Sequence, residues 1–281
     1  MHQLAGYVQE NTDVTVLTIC SNVREVSVYS VYYLICNGIK KLISTLTTGL
    51  EAAFGNMIAL NDYNALNLNV KRTEFILYSI ASILYSCLLV LIIPFISVYT
   101  AGITDANYIR PAFAVVITAA EFIFCIRTPY QNIVEAAGHF KQTKKGAIAE
   151  AIINLGISIT LVINYGLIGV AIGTLVSMVI RTFELAHYAS KYILKRRFSY
   201  VIRRFIISIC EITIIYLIAE ALPTIAITDY LSWFSYAVLI AVIAVLVTLL
   251  FSFIFDRALL VDCLIKIKSI ITLRTPKPKD K

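Results

Sequence analysis

Long apolar segments recur along this chain, and most are near the length that a helix needs to cross a bilayer. A hydrocarbon core about 30 Å thick requires roughly 20 helical residues. Seven segments are clear and an eighth, at the amino terminus, is weaker; in chain order they cover residues 3–20, 25–59, 73–99, 109–137, 147–164, 167–190, 205–222 and 232–254. This pattern predicts an all-α polytopic membrane protein with about eight transmembrane helices.

The composition supports a membrane protein over the other classes. Of the 281 residues, 59% are hydrophobic and 15% are charged, whereas soluble domains carry roughly 25% charge. The six cysteines show no CxxC spacing, so we expect small buried side chains rather than a metal or redox site, and no cofactor. The formal charge of +7 is interpreted as loop charge, not as a nucleic-acid surface.

The distribution of basic residues predicts the orientation. Lys and Arg collect in cytoplasmic loops. With a cytoplasmic amino terminus and eight crossings, 18 of the 24 Lys and Arg residues lie inside and two lie outside. We therefore expect both termini in the cytoplasm.

Two segments need a specific interpretation. Segment 25–59 would be about 50 Å long as a helix, and we predict one long tilted helix that bends at Asn37-Gly38. The alternative is a loop over residues 37–41 that creates a ninth crossing. Residues 257–281 are predicted to be a basic cytoplasmic tail, and its last part, ITLRTPKPKDK, is expected to be solvated near anionic lipid head groups.

Ionisable residues inside the predicted spans are the best indication of function, because each costs some 2.5 to 3.5 kcal/mol at the bilayer centre. Lys40 and Lys41 are adjacent and point about 100° apart, so at most one can face a given ligand. Either one is a cavity cation, or both snorkel or pair with an acid such as Glu51.

A polar stripe marks the segment that follows residue 109. Arg127, Gln131 and Glu135 share one helix face at i, i+4 and i+8. Arg127 either bridges to Glu135 or Glu121 and holds helices together, or presents its guanidinium to a phosphate or carboxylate.

Further polar residues lie in neighbouring spans. Glu150 and Asn154 share a face, Arg181 and Glu184 are spaced for a local ion pair, and Asp13 is expected in a cavity wall rather than facing lipid. Small residues at Gly166, Gly169 and Gly173 predict close helix packing.

No catalytic motif occurs outside the spans. The loops contain no nucleophile elbow, glycine-rich phosphate loop, HExxH or DxD pair, and they are too short for a catalytic domain. We therefore predict translocation rather than enzyme activity.

Three stretches resemble a known family. They are NTDVTVLT, VSVYSVYYLICNGIKKLISTLTTGLEAAFGNMIA and RTPYQNIVEAAGHFKQTKKGAIAEAIINLGISITLVINYGLIGVAIGTLVSMVIRT. In order and spacing they are similar to the second half of the lipid-linked repeat-unit flippases, the polysaccharide and oligosaccharide exporters of the MATE-like superfamily.

The resemblance implies two six-helix lobes around a central cavity, often followed by two added helices. Residues 1–195 would form the second lobe, 196–256 the two added helices and 257–281 the tail. A first lobe is then missing, so either Met1 opens a truncated reading frame or a second polypeptide supplies the other half.

The resemblance also implies a function in the bacterial plasma membrane. Family members flip undecaprenyl-pyrophosphate-linked oligosaccharides for O-antigen, capsule or teichoic-acid-like polymers. The carried-over roles are pyrophosphate-binding cations at Lys40, Lys41 and Arg127; gating or ion-coupling residues at Glu121, Glu135, Glu150, Asp13 and Arg181; and sugar contacts at Tyr130, Gln131 and Asn154.

Three alternatives remain open. A multidrug or cation antiporter of the same fold would want an acidic cavity, whereas this one is expected to be basic or mixed. A membrane-embedded polymerase or glycosyltransferase would need a large outer loop with catalytic acids. The chain could also be a non-functional fragment.

Overall fold

The computed structural model describes residues 12–223 and 227–274. Of the described residues, 87% are helical and none lies in a strand. The helices are α1 at 12–20, α2 Val23–Thr47, α3 Leu50–Ala59, α4 Tyr63–Tyr99, α5 Pro111–Ala136, α6 Phe140–Tyr165, α7 Leu167–Tyr188 with a π turn over Ala189–Ile193, α8 Ser199–Ala221, α9 Tyr230–Phe255 and α10 Arg257–Arg274.

Local sequence signals set several helix starts. The side chains of Asn22 and Asp62 each accept a hydrogen bond from the backbone N–H three residues later, which caps α2 and α4. Asp229 and Ser232 form a reciprocal capping box at the start of α9. Pro111 occupies the first turn of α5, where its missing N–H costs nothing.

Helices α4 and α5 organise the packing. Helix α5 contacts α2, α3, α4 and α7, while α6 packs against α7. Helices α8 and α9 pack against α4 instead. Helix α4 therefore separates the helices that carry most of the predicted site from the two helices predicted as additions.

Among the described residues, five helices are long and apolar enough to cross a membrane: α4, α5, α6, α7 and α9. Four of them contain the predicted segments 73–99, 147–164, 167–190 and 232–254, and α5 matches the predicted segment 109–137 to within two residues, which supports an α-helical multi-pass membrane protein. Helix α8 is long enough but carries Arg203, Arg204, Glu211 and Glu220. Residues 3–11 of the first predicted segment lie outside the described residues, and the count of eight stays a prediction.

The prediction for residues 25–59 is wrong. Helix α2 runs straight through Asn37-Gly38, and the chain turns at Gly49 before α3 begins. Gly49 has a φ of 86°, in the left-handed region that ends helices and that glycine adopts without a Cβ penalty. The length that was too great for one helix is thus divided between two.

The first part of the predicted basic tail, Arg257–Arg274, forms helix α10. Helix α10 docks on α4, where the Arg72 guanidinium donates two hydrogen bonds of 2.6 and 2.8 Å to the Asp262 carboxylate. These bonds hold the pKa of Asp262 below its ordinary value. The contact is therefore present at neutral pH and is lost only as the pH falls through that lowered value. Residues 275–281 lie outside the described residues.

Two of the three glycines predicted to permit close packing, Gly169 and Gly173, do so between α6 and α7, whereas a Cβ on Gly166 would meet nothing within 4 Å. A Cβ on Gly169 would lie 2.5 Å from the Leu161 carbonyl carbon and oxygen, and one on Gly173 would lie 2.3 Å from the Ser158 Oγ. Only a hydrogen fits at these two positions without moving the backbone of α6.

We therefore expect Gly169→Ala to lower the unfolding midpoint of the purified protein in detergent, because overpacking costs about 1–3 kcal/mol. Gly156→Ala on α6 is the control, since a Cβ there meets nothing within 4 Å and alanine favours a helix by about 0.5–1 kcal/mol. Equal midpoints for the two variants would contradict the close approach of α6 and α7.

Candidate functional site

Lys40 of α2 forms a buried ion pair with Glu121 of α5. The Lys40 Nζ lies 3.5 Å from the Glu121 Oε2, and both side chains are buried. The same ammonium lies 4.0 Å from the centre of the Phe124 ring, one turn further along α5, so the ring face adds to its stabilisation.

Arg127 starts a longer chain of ion pairs through α5, α6 and α7. Its Nη1 lies 2.6 Å from Glu150 Oε1, and Glu150 Oε2 lies 3.7 Å from Arg181 Nε. Arg181 Nη1 then contacts Glu184 Oε2 at 2.7 Å, which confirms the predicted local pair. Glu150 is thus placed between two guanidinium groups.

The two groups of ion pairs adjoin one another. The Phe124 ring centre lies 4.0 Å from the Lys40 ammonium and 4.8 Å from the Arg127 guanidinium carbon. One aromatic ring therefore separates the two cations. We call these residues, with Asp13 and Glu135, the inner ionic cluster; its members are Asp13, Lys40, Glu121, Arg127, Glu135, Glu150, Arg181 and Glu184.

Asp13 joins the cluster through hydroxyl groups rather than through a cation. Its Oδ2 accepts hydrogen bonds from the Tyr29 hydroxyl at 3.0 Å and from the Thr174 hydroxyl at 2.8 Å. The Asn154 amide donates to the same Thr174 oxygen at 3.1 Å. Asp13 Oδ1 and Asn154 Oδ1 are buried without a hydrogen-bond partner among the described residues.

Two small cavities open onto the cluster. One of about 70 Å³ is lined by Arg127, Gln131, Glu135, Glu150 and Arg181, among others. The other, about 20 Å³, is lined by Asp13, Lys40, Glu121 and their neighbours, which confirms that Asp13 lies in a cavity wall. The polar stripe predicted on α5 thus faces one cavity, and Gln131 donates to Glu135 at 3.0 Å.

The charge of the cluster is mixed, with acidic side chains in excess, within the expectation of a basic or mixed cavity. It holds three basic and five acidic side chains, and each of its cations lies within 4 Å of a carboxylate: Lys40 with Glu121, Arg127 with Glu150, and Arg181 with Glu150 and Glu184. The acidic partners that the sequence suggested for Arg127 and Lys40 are not the ones found. Arg127 pairs with Glu150, not with Glu135 or Glu121, and Lys40 pairs with Glu121, not with the exposed Glu51.

Two of the predicted ligand-binding residues lie apart from the cluster. Lys41 is exposed on α2 while Lys40 is buried, as expected for neighbours that point about 100° apart. Tyr130 is fully buried, and its hydroxyl lies 3.1 Å from the Tyr78 hydroxyl of α4. Tyr130 therefore faces α4 rather than the cavity beside Arg127.

A second set of buried charges was missed by the sequence interpretation. Arg196 makes a double hydrogen bond with the fully buried Glu74, and Arg204 bonds to Asp256. These arginines had been counted as cytoplasmic loop charges. A signal was available for Glu211, which interrupts the apolar segment 205–222, but not for Glu74, which directly follows the polar stretch Lys71-Arg72-Thr73. We call the buried polar residues between α4, α8 and α9 the α4–α8 polar interface; its members are Glu74, Arg196, Arg204, Glu211 and Asp256.

Within the described part of the chain, no three His, Cys, Asp or Glu side chains gather as a metal site. Comparison of the chain with models of protein families, with curated proteins and with solved structures gives no match. The site is therefore defined by its own geometry, which is a buried cluster of charges between apolar helices.

The position of Glu150 between two arginines yields a prediction. Removing one partner of a buried pair costs about 3–5 kcal/mol. Glu150→Gln leaves both Arg127 and Arg181 without this carboxylate, whereas Arg127→Gln leaves Glu150 with Arg181. We expect Glu150→Gln to lower the unfolding midpoint in detergent more than Arg127→Gln does.

Glu135→Gln is the matched control, because this half-buried residue of the same cluster accepts a hydrogen bond from the neutral Gln131 amide and forms no ion pair within the described residues. It should unfold close to the wild type. A Glu150→Gln protein as stable as the Glu135→Gln protein would contradict the central place of Glu150.

Proposed function

We propose that this chain forms a lobe of a transporter that flips an anionic lipid-linked oligosaccharide across the bacterial plasma membrane. The favoured cargo is an undecaprenyl-pyrophosphate-linked repeat unit of an O-antigen, capsule or teichoic-acid-like polymer, as the family resemblance implies. The observation that carries the proposal is the inner ionic cluster, because charges buried among apolar membrane helices mark pathways for polar cargo. The proposed role is translocation and not catalysis.

The chemistry of such a cargo explains why cations are needed. A diphosphate and a sugar chain cannot cross hydrocarbon unaided, since an uncompensated charge in a low-dielectric medium costs many kcal/mol. Guanidinium groups such as those of Arg127 and Arg181 bind phosphate oxygens through forked hydrogen bonds. The cavity of about 70 Å³ beside them provides a point at which an anion can approach.

In this proposal the carboxylates act as internal counter-ions. Leaving an arginine unpaired in the interior is costly, so Glu150 and Glu121 neutralise the cations while no cargo is bound. An incoming diphosphate takes the place of these carboxylates, and the ion pairs form again after release. The cluster is then stable in both the empty and the loaded state.

The exposed position of Lys41 supports a passage for cargo that extends beyond the buried cluster. It is exposed on α2, on the same face as the exposed Leu34 two turns earlier, and a lysine that faces acyl chains is unfavourable. We propose that this face lines the passage opposite a second lobe or a partner polypeptide. Both termini are proposed to lie in the cytoplasm.

The proposal is tested in the native host, where any partner polypeptide is present. Deletion of the gene should abolish surface polymer and leave lipid-linked repeat units in the inner leaflet, and the wild-type chain should restore export. We expect Arg127→Gln to fail and Lys41→Gln to restore export only in part, because each removes a cation from the pathway.

Lys144→Gln, an exposed charge near the start of α6, is the control and should restore export fully. Immunoblots of the membrane fraction establish equal protein levels, and Lys41→Gln is informative even if Arg127→Gln misfolds, since Lys41 is exposed. Full export by the Lys41→Gln and Arg127→Gln variants at normal levels would contradict the proposal.

A second candidate is a cation antiporter of the same fold, which the excess of acidic over basic side chains in the cluster favours. This function predicts that the chain lowers accumulation of a cationic dye such as ethidium in the same strain. Glu121→Gln should then abolish dye export while surface polymer is unaffected.

A further inference from the structure

Glu211 is a buried carboxyl in the α4–α8 polar interface. It lies near the middle of α8 with 4% of its surface exposed. The buried positions of α8 follow one helix face, namely Arg204, Ser208, Glu211, Ile215 and Ala219. Glu211 therefore points toward α4 and α9 rather than toward lipid.

One hydroxyl group lies beside Glu211, and further hydroxyl side chains are buried on the neighbouring helices. Across the interface with α4, the Ser82 side chain lies beside the Glu211 carboxyl, and its hydroxyl forms no well-aligned hydrogen bond within the described residues. Ser208 precedes Glu211 by about one turn, and α9 buries Thr248 and Ser252. The Thr248 hydroxyl also has no hydrogen-bond partner in the described chain.

Glu211 differs from the other buried glutamates in having no basic partner. Glu74, Glu121 and Glu150 each pair with an arginine or lysine, whereas Glu211 forms no ion pair among the described residues. The charged groups that act on it are Arg204 of its own helix and Asp256 at the end of α9, and these two bond to each other.

An isolated buried carboxylate is very costly, and such a group avoids the cost by binding a proton. We propose that Glu211 is a proton-binding site enclosed by α4, α8 and α9. When the proton leaves, the O–H bond breaks, the proton passes to water, and the resulting carboxylate competes with Asp256 for Arg204. Its use in driving cargo export rests on the proposed transport function.

Infrared spectroscopy of the purified full-length protein tests the proton site directly. A protonated carboxyl has a C=O stretch that is separate from the carboxylate bands. We expect this band in the wild type at neutral pH, its loss in Glu211→Gln, and its retention in Glu220→Gln, which alters an exposed acid of the same helix. A wild-type band that is unchanged by Glu211→Gln would overturn the proposal.

The pH dependence of unfolding provides a second measurement. If the folded state holds the proton more tightly than the unfolded state, wild-type stability falls as the pH rises. Glu211→Gln should therefore unfold near the wild-type midpoint at pH 5 and above it at pH 8, whereas Glu220→Gln should follow the wild type. Parallel curves for the wild type and Glu211→Gln would count against the proton site.

The export assay separates this inference from the proposed function. Loss of pH-dependent export in Glu211→Gln, at normal protein level, supports proton coupling. Unchanged export together with the infrared result leaves the proton site standing and removes its role in transport. Neither infrared nor unfolding data depend on the identity of the cargo.

Discussion

Charge compensation inside hydrocarbon is the constraint on which the described structure depends. Helix α5 supplies Glu121 and Arg127, and each side chain reaches a partner of opposite charge on a different helix, Lys40 on α2 and Glu150 on α6. Such pairs add little net stability against apolar side chains of the same volume, but removing one partner is expensive. The main effect of these pairs is therefore to determine which helices pack together, and their net contribution to stability is small.

The two sets of buried charges lie on opposite sides of the same helix pair. On one side, α5 carries the inner ionic cluster; on the other, Tyr130 of α5 meets Tyr78 of α4 through their hydroxyl groups. Tyr78 in turn lies 5.9 Å from the Arg204 guanidinium carbon, measured to its ring centre. A movement of α5 against α4 would therefore change contacts in both sets.

The sequence predicted those features that follow from local spacing. The apolar segments within α4, α5, α6, α7 and α9, the glycine contacts of α7, and the Arg181–Glu184 pair all depend on residues that are close along the chain. The break at Gly49 was not predicted, because the segment was interpreted as one long helix in which Asn37-Gly38 permits a bend, and local spacing does not reveal the packing of α3 against α5.

Partners distant in sequence could not be predicted in this way. Arg127 pairs with Glu150, 23 residues away along the chain, and Arg196 pairs with Glu74, 122 residues away. The rule that places Lys and Arg in cytoplasmic loops uses only their position relative to the spans, so it cannot show that a loop arginine folds back onto a buried acid. The same limit applies to α10, whose docking depends on the distant Arg72.

We propose that Glu150 and Glu121 pair with the buried cations in the empty protein and that an anionic cargo replaces these carboxylates. The most direct test is the shift in unfolding temperature of the purified chain on addition of undecaprenyl diphosphate, compared with undecaprenol, which has the same tail and a neutral head. We expect undecaprenyl diphosphate, but not undecaprenol, to raise the unfolding temperature of the wild type, and we expect this rise to be absent in Arg127→Gln. An equal rise with the alcohol, or a rise that persists in Arg127→Gln, would contradict it.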